Sequence, residues 1–290
     1  MSDRLADVSA RINTTRQLGS VIGALRAIAA ARSREARERL AGTQAYAQTI
    51  SGAIKEVLAL LPSRDPGPVA PLSAGEAPAT LCIALCAEQG FAGSFNERVL
   101  DAADAVAAPA RFLIGDRGLT VQRMRGAEPD WNAPMVAHPD QVPVLAGRIA
   151  DALYARFGDA EVARVALVHA VPQATSFTVV RRWLLPFDYA RFPAASRRFP
   201  PRVDLPPQEL AARLALEYVF AELCEALLLS FAAENQARVQ AMIAAHANVE
   251  HKRDALEAES RRVRQEGITA EIVELSASGS NPAGGTPTPA

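Results

Sequence analysis

The sequence predicts an α/β protein organised as a long antiparallel coiled coil of N- and C-terminal helices with an α/β domain inserted between them. Three observations predict it: where the prolines fall, how apolar residues repeat near the ends, and how strands and helices alternate in the middle. All 20 prolines lie between Pro62 and Pro207 or from Pro282 onward. Proline costs about 3 kcal/mol in a helix interior, so two long proline-free blocks at either end read as helices.

The first block, 1–61, and the second, 208–275, are rich in Ala, Leu, Glu, Arg and Gln, all good helix formers. At ~1.5 Å per residue they would extend roughly 90 and 100 Å, beyond the usual globular range. In the second block Met242, Val249, Leu256 and Val263 repeat every seven residues, and their companions Val239, His246, Arg253 and Ser260 are mostly polar. The first block starts a matching pattern at Leu5, Val8 and Ile12 and resumes it, after a phase slip, at Leu18, Ile22, Leu25 and Ile28. If the helices run antiparallel with residue 61 near 207, residue 2 lies beside 266. The polar run "SRRVRQE" (260–266) then reaches the point where its partner helix ends, at Gly267, and the last turns stand alone.

Between the helices, segments 80–87, 111–115, 162–171 and 176–185 read as strands. The stretches "FNERVLDAADAVAA" and "VLAGRIADALYARFG" read as helices between them. This alternation predicts a mostly parallel sheet with right-handed crossovers, a Rossmann-like α/β domain over 80–207. Residues 62–79, rich in Pro, Gly and Ala, form a linker, and 276–290 read as a disordered tail.

Composition excludes several classes. The formal net charge of −1 gives no argument for binding nucleic acid or an anionic membrane through overall charge. Of 31 basic residues only Lys55 and Lys252 are lysine, a bias read as GC-rich coding. The start "MSDRLADVSARI" has no apolar core of a signal peptide. The most apolar window, "LALEYVFAELCEALLLSFAA", carries Glu217, Glu222 and Glu225, so it reads as a buried helix rather than a membrane span. An odd cysteine count, Cys82, Cys86 and Cys224, suits a reducing cytoplasm, and the first two read as small core residues. The histidines have no metal-ligand spacing, and no metal or cofactor is expected.

Catalytic chemistry finds no support either. "ALCAEQGFAGSFNERVL" places a glycine turn between a strand and a helix, but Gly90 and Gly93 make neither a dinucleotide fingerprint nor a phosphate loop. The segment reads as a tight turn packing a helix on a sheet. "IGDRGL" (114–119) reads as a strand-end turn that offers Asp116 and Arg117 without a nucleophile or base beside them. The organisation alone also fits a cytoplasmic coiled-coil scaffold with an α/β domain.

Four motifs narrow the choice. "LADVSARINTTRQLGSVIGALRAIAAAR" opens the chain, "EQGFAGSFN" follows the first strand, and "AENQARVQAMIAAHAN" and "VRQEGITAEIVEL" lie in the last helix. Their order around an α/β insertion resembles the gamma subunit of F-type ATP synthases over about residues 2–276. The central motif keeps Gly90, Gly93 and Asn96 but departs from the family at Glu88, Gln89, Phe91 and Ala92, which marks a divergent member.

The resemblance implies a non-catalytic rotor shaft. Its helices would stand inside a hexamer of alpha and beta subunits, and its α/β domain would form the foot on a ring of c subunits, with an epsilon subunit alongside. Arg264, Gln265 and Thr269 would meet a beta-subunit loop, Arg238 would do so lower on the same helix, and Asp204 would face the c-ring. Arg32 and Arg34, with Arg37 and Arg39, would face acidic beta-subunit loops. The resemblance further implies a peripheral position on the cytoplasmic face of a bacterial inner membrane.

Overall fold

The computed structural model describes residues 2–61, 79–158, 162–195 and 201–279. Helix α1 runs over Ser2–Leu58, strand β1 over Thr80–Leu85, α2 over Phe95–Asp104 and β2 over Ala110–Ile114. There follow α3 (Asp116–Met124), β3 (Trp131–Ala133), α4 (Val142–Gly158), β4 (Arg164–Pro172), β5 (Phe177–Leu185) and α5 (Pro207–Gly279). The chain divides into two compact units, one of residues 27–241 and one of residues 1–26 with 242–290.

In the larger unit the sheet has the order β3-β2-β1-β4-β5. β1 pairs in parallel with β2 and β4, β2 with β3, and β5 closes the edge antiparallel to β4. That antiparallel edge has a simple cause. Only four residues separate β4 from β5, whereas a parallel return needs a dozen or more, so the chain turns back as a hairpin, with the Gln173 N–H donating to the Ser176 carbonyl.

Both faces of the parallel strands are covered, so β1 is apolar from Leu81 onward and its alternation sorts two cores. Leu81, Ile83 and Leu85 join Ile54 and Leu58 of α1, Leu145 and Ile149 of α4, and Leu223 and Leu227 of α5. Cys82, Ala84 and Cys86 join Phe95, Val99 and Leu100 of α2 on the opposite face. The three cysteines are free and buried. Burial pushes the Cys82 thiol up to about 11 and that of Cys224 to about 12, so both stay protonated and pack as small apolar groups.

Two elements depart from the sequence reading. β3, three residues long, lies where no strand is expected from the sequence, and α3 occupies the stretch read as a turn. The sequence of α3, DRGLTVQRM, holds a glycine and two β-branched residues, a poor helix by propensity. Close packing decides it instead. A Cβ on Gly118 would lie 2.1 Å from the Cys86 Cβ, and Gly115 turns into the helix at φ 105 with the Cys86 carbonyl oxygen 2.6 Å from where a Cβ would sit. Only glycine admits both approaches.

The helices pair antiparallel within each unit. In the larger one, Ser33 Oγ donates to the Ala232 carbonyl (3.1 Å), Gln44 Nε2 to Glu225 Oε1 (3.1 Å) and Tyr46 Oη to Glu217 Oε1 (2.7 Å). In the smaller one, Val8, Ile12 and Leu256 form an apolar cluster, Gly19 faces Val249, and Arg4 and Arg16 pair with Glu266 and Glu257. This register matches the count made from the sequence to within about five residues. The heptad residues Met242, Leu256 and Val263 are buried, as expected.

The phase slip proposed for α1 is corrected. Its buried or half-buried line runs Val8, Ile12, Thr15, Gly19 and Ile22 without interruption in the smaller unit. Leu18 stands outside it, 51% exposed. Thr15 and Gly19 are seam residues that carry no apolar signal, so apolar periodicity alone points to Leu18 instead. In the larger unit Ala29, Ser33 and Ala36 are buried while Ile28 is exposed. The end of α5 is corrected too: the helix continues to Gly279, with Ser276 Oγ donating to the Ile272 carbonyl, so residues 276–279 are not tail. Of the expected linker, 62–78 lies outside the described residues, as do 280–290 of the tail.

His169 on β4 is fully buried, and neither ring nitrogen has a hydrogen-bond partner among the described residues. Burial, with the Arg182 guanidinium adding to it, lowers its pKa from 6.5 to about 4. The folded chain therefore resists a proton that the unfolded chain accepts. Its contribution to stability is constant above pH 6.5, falls as pH drops from 6.5 toward 4, and levels below that, a loss of about 3 kcal/mol from this group. His169→Leu should remove this contribution to the slope and raise stability at neutral pH. Urea-unfolding midpoints measured for both chains between pH 4 and 7 check it; parallel pH profiles would refute the assignment.

Candidate functional site

Two places concentrate polar groups: a clasp at the carboxyl ends of the parallel strands, and the exposed end of α5. The clasp forms where a doubly wound sheet ordinarily binds ligands, in the crevice beside the strand-order reversal. The loop after β1 enters it with Phe91 at φ 62 and Gly93 at φ 59. Asn96, buried at the start of α2, accepts from the Ala87 N–H through Oδ1 (2.8 Å). Of the three retained motif residues, Gly93 supplies a left-handed turn and Asn96 ties the loop. Gly90 contributes its carbonyl, and a Cβ there would meet open space.

Glu88 places its carboxylate inside the crevice. Its Oε2 accepts from the Asp116 N–H (3.1 Å), at the start of α3, and from the Met135 N–H (2.7 Å). These are donors a bound phosphate would otherwise use. The Glu88 carboxylate holds them from within the chain.

From α5, Glu234 and Arg238 close the clasp. Glu234 accepts from the N–H groups of Glu88 and Gln89, each at 3.4 Å. Arg238 donates through Nε to the Gly90 carbonyl (3.1 Å), through Nη2 to the Gln89 carbonyl (3.2 Å), through Nη1 to Asn235 Oδ1 (2.9 Å), and to Glu234 itself. Both side chains are less than a tenth exposed. Burial pushes the Glu234 carboxyl above its ordinary value, and the Arg238 guanidinium pulls it back.

The expectation that Arg238 faces another subunit is corrected here. Its guanidinium is turned inward and spent on this chain, because a charge so buried is tolerable only when its donors are matched. The sequence carried a usable signal, since Glu234 and Arg238 stand four apart on one helix face. Glu88 carried none, as its partners are backbone groups from distant elements.

At the far end of α5, within the smaller unit, Arg264 and Gln265 are exposed, and neither side chain has a partner among the described residues. The Thr269 hydroxyl donates to the Gln265 carbonyl (2.9 Å). A groove of about 400 Å³ is lined there by Leu5, Val263, Arg264, Gly267, Ile268 and Glu271, among others. The helix runs unbroken through Gly267, and every residue from Ile268 to Ser276 is exposed. Ile268, Ile272, Val273 and Leu275 are 54–66% exposed.

The other expected residues lie apart. Arg34 is exposed and Arg32 half-buried, both without an ion-pair partner among the described residues. Arg37 Nη2 donates to Gln236 Oε1, and Arg39 lies beside Glu35. Asp204 is exposed three residues before α5 begins. Among the described residues no cluster of His, Cys, Asp or Glu could hold a metal ion.

An α/β sheet domain tied through the clasp to a long helix, which itself pairs antiparallel with α1, defines a sheet domain carried on paired helices. Residues 4–281 match the family described as ATP synthase, and the chain belongs to that family. The ATP synthase gamma chain of Solibacter usitatus (strain Ellin6076) is 27% identical over 279 residues, 93% of this chain and 96% of that one. The ATP synthase gamma chain of Frankia casuarinae is 28% identical and covers 95% and 96%. Among solved structures, a chain of the Euglena gracilis mitochondrial ATP synthase (OSCP/F1/c-ring, rotational state 3) superposes with TM-score 0.66 at 13% identity, all of both chains being covered. A chain of the Tetrahymena thermophila mitochondrial ATP synthase central stalk and c-ring gives 0.53 at 17% identity, covering 78% of this chain and 99% of that one.

The clasp generates one expectation. Arg238→Met leaves Glu234 buried without its cation, a loss of roughly 3–5 kcal/mol. Changing both, Glu234→Leu with Arg238→Met, should recover much of that loss, though the loop N–H groups stay unpaired. Thermal unfolding of the two variants, with hydrogen exchange at Glu88 and Gln89, reports the difference. A single variant as stable as the parent would dismiss the clasp as a stabilising element.

Proposed function

We propose that the chain is the gamma subunit of an F-type ATP synthase, the central-stalk rotor that couples rotation of a c-ring to ATP synthesis or hydrolysis. The gamma-chain relatives, which match over nearly their whole length, support the reading. The observation that carries it is the end of α5: Arg264 and Gln265, whose side chains have no partner among the described residues, stand beside the exposed apolar residues Ile268, Ile272 and Val273.

In this reading the paired helices stand inside a ring of alternating alpha and beta subunits, with the epsilon subunit and the c-ring as further partners. One asymmetric shaft cannot contact three surrounding pairs equivalently. Each angle therefore favours a different state at three chemically identical sites, a population shift driven by differential contacts. Catalysis stays on the beta subunits. Arg264, Gln265 and Thr269 contact a beta-subunit loop, Arg32 and Arg34 face acidic loops, and Asp204 faces the c-ring. Arg238 serves from inside, holding α5 to the β1 loop. No described helix is long and apolar enough to cross a membrane, and we place the subunit peripherally on the cytoplasmic face of a bacterial inner membrane.

Arg264→Ala removes a charge-assisted contact worth about 1.5–3 kcal/mol, used at particular angles. In the assembled complex, synthesis and hydrolysis should fall roughly tenfold or more, with subunit stoichiometry unchanged. Arg261→Ala, on an exposed neighbour, should change neither. Equal and negligible effects on turnover in both variants would reduce the polar run to a solvated face.

A further inference from the structure

The edge of the sheet carries a feature the rotor reading leaves unused. β5 is an edge strand nine residues long, and among the described residues its backbone pairs with β4 alone. Alternate residues of a strand share one side, so Phe177, Val179, Arg181 and Trp183 form a row. Arg98 stacks on the Phe177 ring at 4.1 Å and donates to the Phe177 carbonyl. Arg164 stacks on Trp183 at 4.2 Å, and Arg181 lies 5.8 Å from the same ring. Trp183 is 39% exposed.

None of these three arginines has a carboxylate partner among the described residues. Arg182, between Arg181 and Trp183, belongs to the other face, where Glu222 and Glu225 of α5 neutralise it. The row is therefore cationic on one side of the strand only, over roughly 20 Å at ~3.3 Å per residue. Stacking on the rings holds two guanidiniums in place, so less freedom is lost when they take up an anion.

We propose that this edge receives an extended acidic segment of a partner polypeptide, added beside β5 as a sixth strand with its carboxylates toward Arg98, Arg164 and Arg181. Two independent needs of the edge are met together: backbone groups that lack a neighbour, and guanidiniums that lack carboxylates. An anionic lipid surface would answer the second need and leave the first to water. An acidic helix would do the same.

The test uses the full chain carrying Trp131→Phe, so that Trp183 is its only tryptophan, and a decapeptide of alternating Glu and Val as the probe. Saturable change in Trp183 emission, absent with the Lys–Val peptide and weakened at least tenfold by Arg164→Glu with Arg181→Glu, is expected. Two further probes keep the same charges but are N-methylated along one or the other edge of the peptide; one of them should lose binding at least tenfold. No saturable response to the acidic peptide would overturn the proposal. So would equal binding of both N-methylated probes, which would leave charge alone. A Trp183 response to phosphatidylglycerol vesicles without one to the peptide would assign the patch to lipid and overturn it as well.

Discussion

Arg238 and Glu234 impose the constraint on which the larger unit depends. Taking both charges out of water costs several kcal/mol each, and their mutual attraction offsets that only when the remaining donors and acceptors are matched. Here the loop after β1 supplies the matches, through the carbonyls of Gln89 and Gly90 and the N–H groups of Glu88 and Gln89. The loop cannot move without exposing a buried charge to an apolar surrounding, and α5 cannot rotate without doing the same. The pair therefore ties the carboxyl end of the sheet to the long helix. The same loop carries Glu88, whose carboxylate accepts from the Asp116 and Met135 N–H groups and so ties the loop to the segments that follow β2 and β3.

That economy bears on what a rotor needs. Torque passes between a sheet domain and a helix only if the joint is stiffer than the load, and apolar packing alone is non-directional. Directional, charge-assisted bonds at the clasp are complemented lower down, where buried Glu222 accepts from Arg191 at 2.9 Å and Glu225 from Arg182 at 3.3 Å. α5 is thus gripped at 222–225 and again at 234–238. The smaller unit is held differently, by a thin seam of Val8, Ile12, Leu256 and Val263 with polar groups on either side. Small seam residues such as Gly19 let the helices approach closely, and the apolar residues left outside, Leu18 and Val21, are available to surrounding partners.

Much of this was legible because the signals were long or one-sided. Proline exclusion defines both terminal helices, and their antiparallel register follows from chain lengths alone. The buried heptad at Met242, Leu256 and Val263 was readable since packing and periodicity agree there. What escaped the sequence was set by close contact. α3 exists against its own propensity because Gly115 and Gly118 fit against Cys86, a fact with no local signature. The seam at Thr15 and Gly19 has no apolar residue to mark it. The inward turn of Arg238 depends on carbonyls presented by a loop that lies far off in sequence.

The arginines show why composition was a weak guide to the site. With lysine nearly absent, guanidinium must serve every cationic purpose, structural and functional alike. Arg111 is tied to Asp104 at 2.7 Å and Arg125 to Asp101 at 2.8 Å, while Arg238 is consumed by the clasp. Such guanidiniums are already matched by groups of their own chain. An exposed arginine without a carboxylate is no anomaly by itself, since water satisfies it. What separates Arg264, and separately Arg164 with Arg181, from a solvated face is the company each keeps. Arg264 lines a groove with Ile268, whereas Arg164 and Arg181 flank a half-exposed tryptophan on an open strand edge. Charge beside exposed apolar surface is favourable to bury against a complementary surface, and it is this pairing, rather than charge alone, on which both proposed contacts rest.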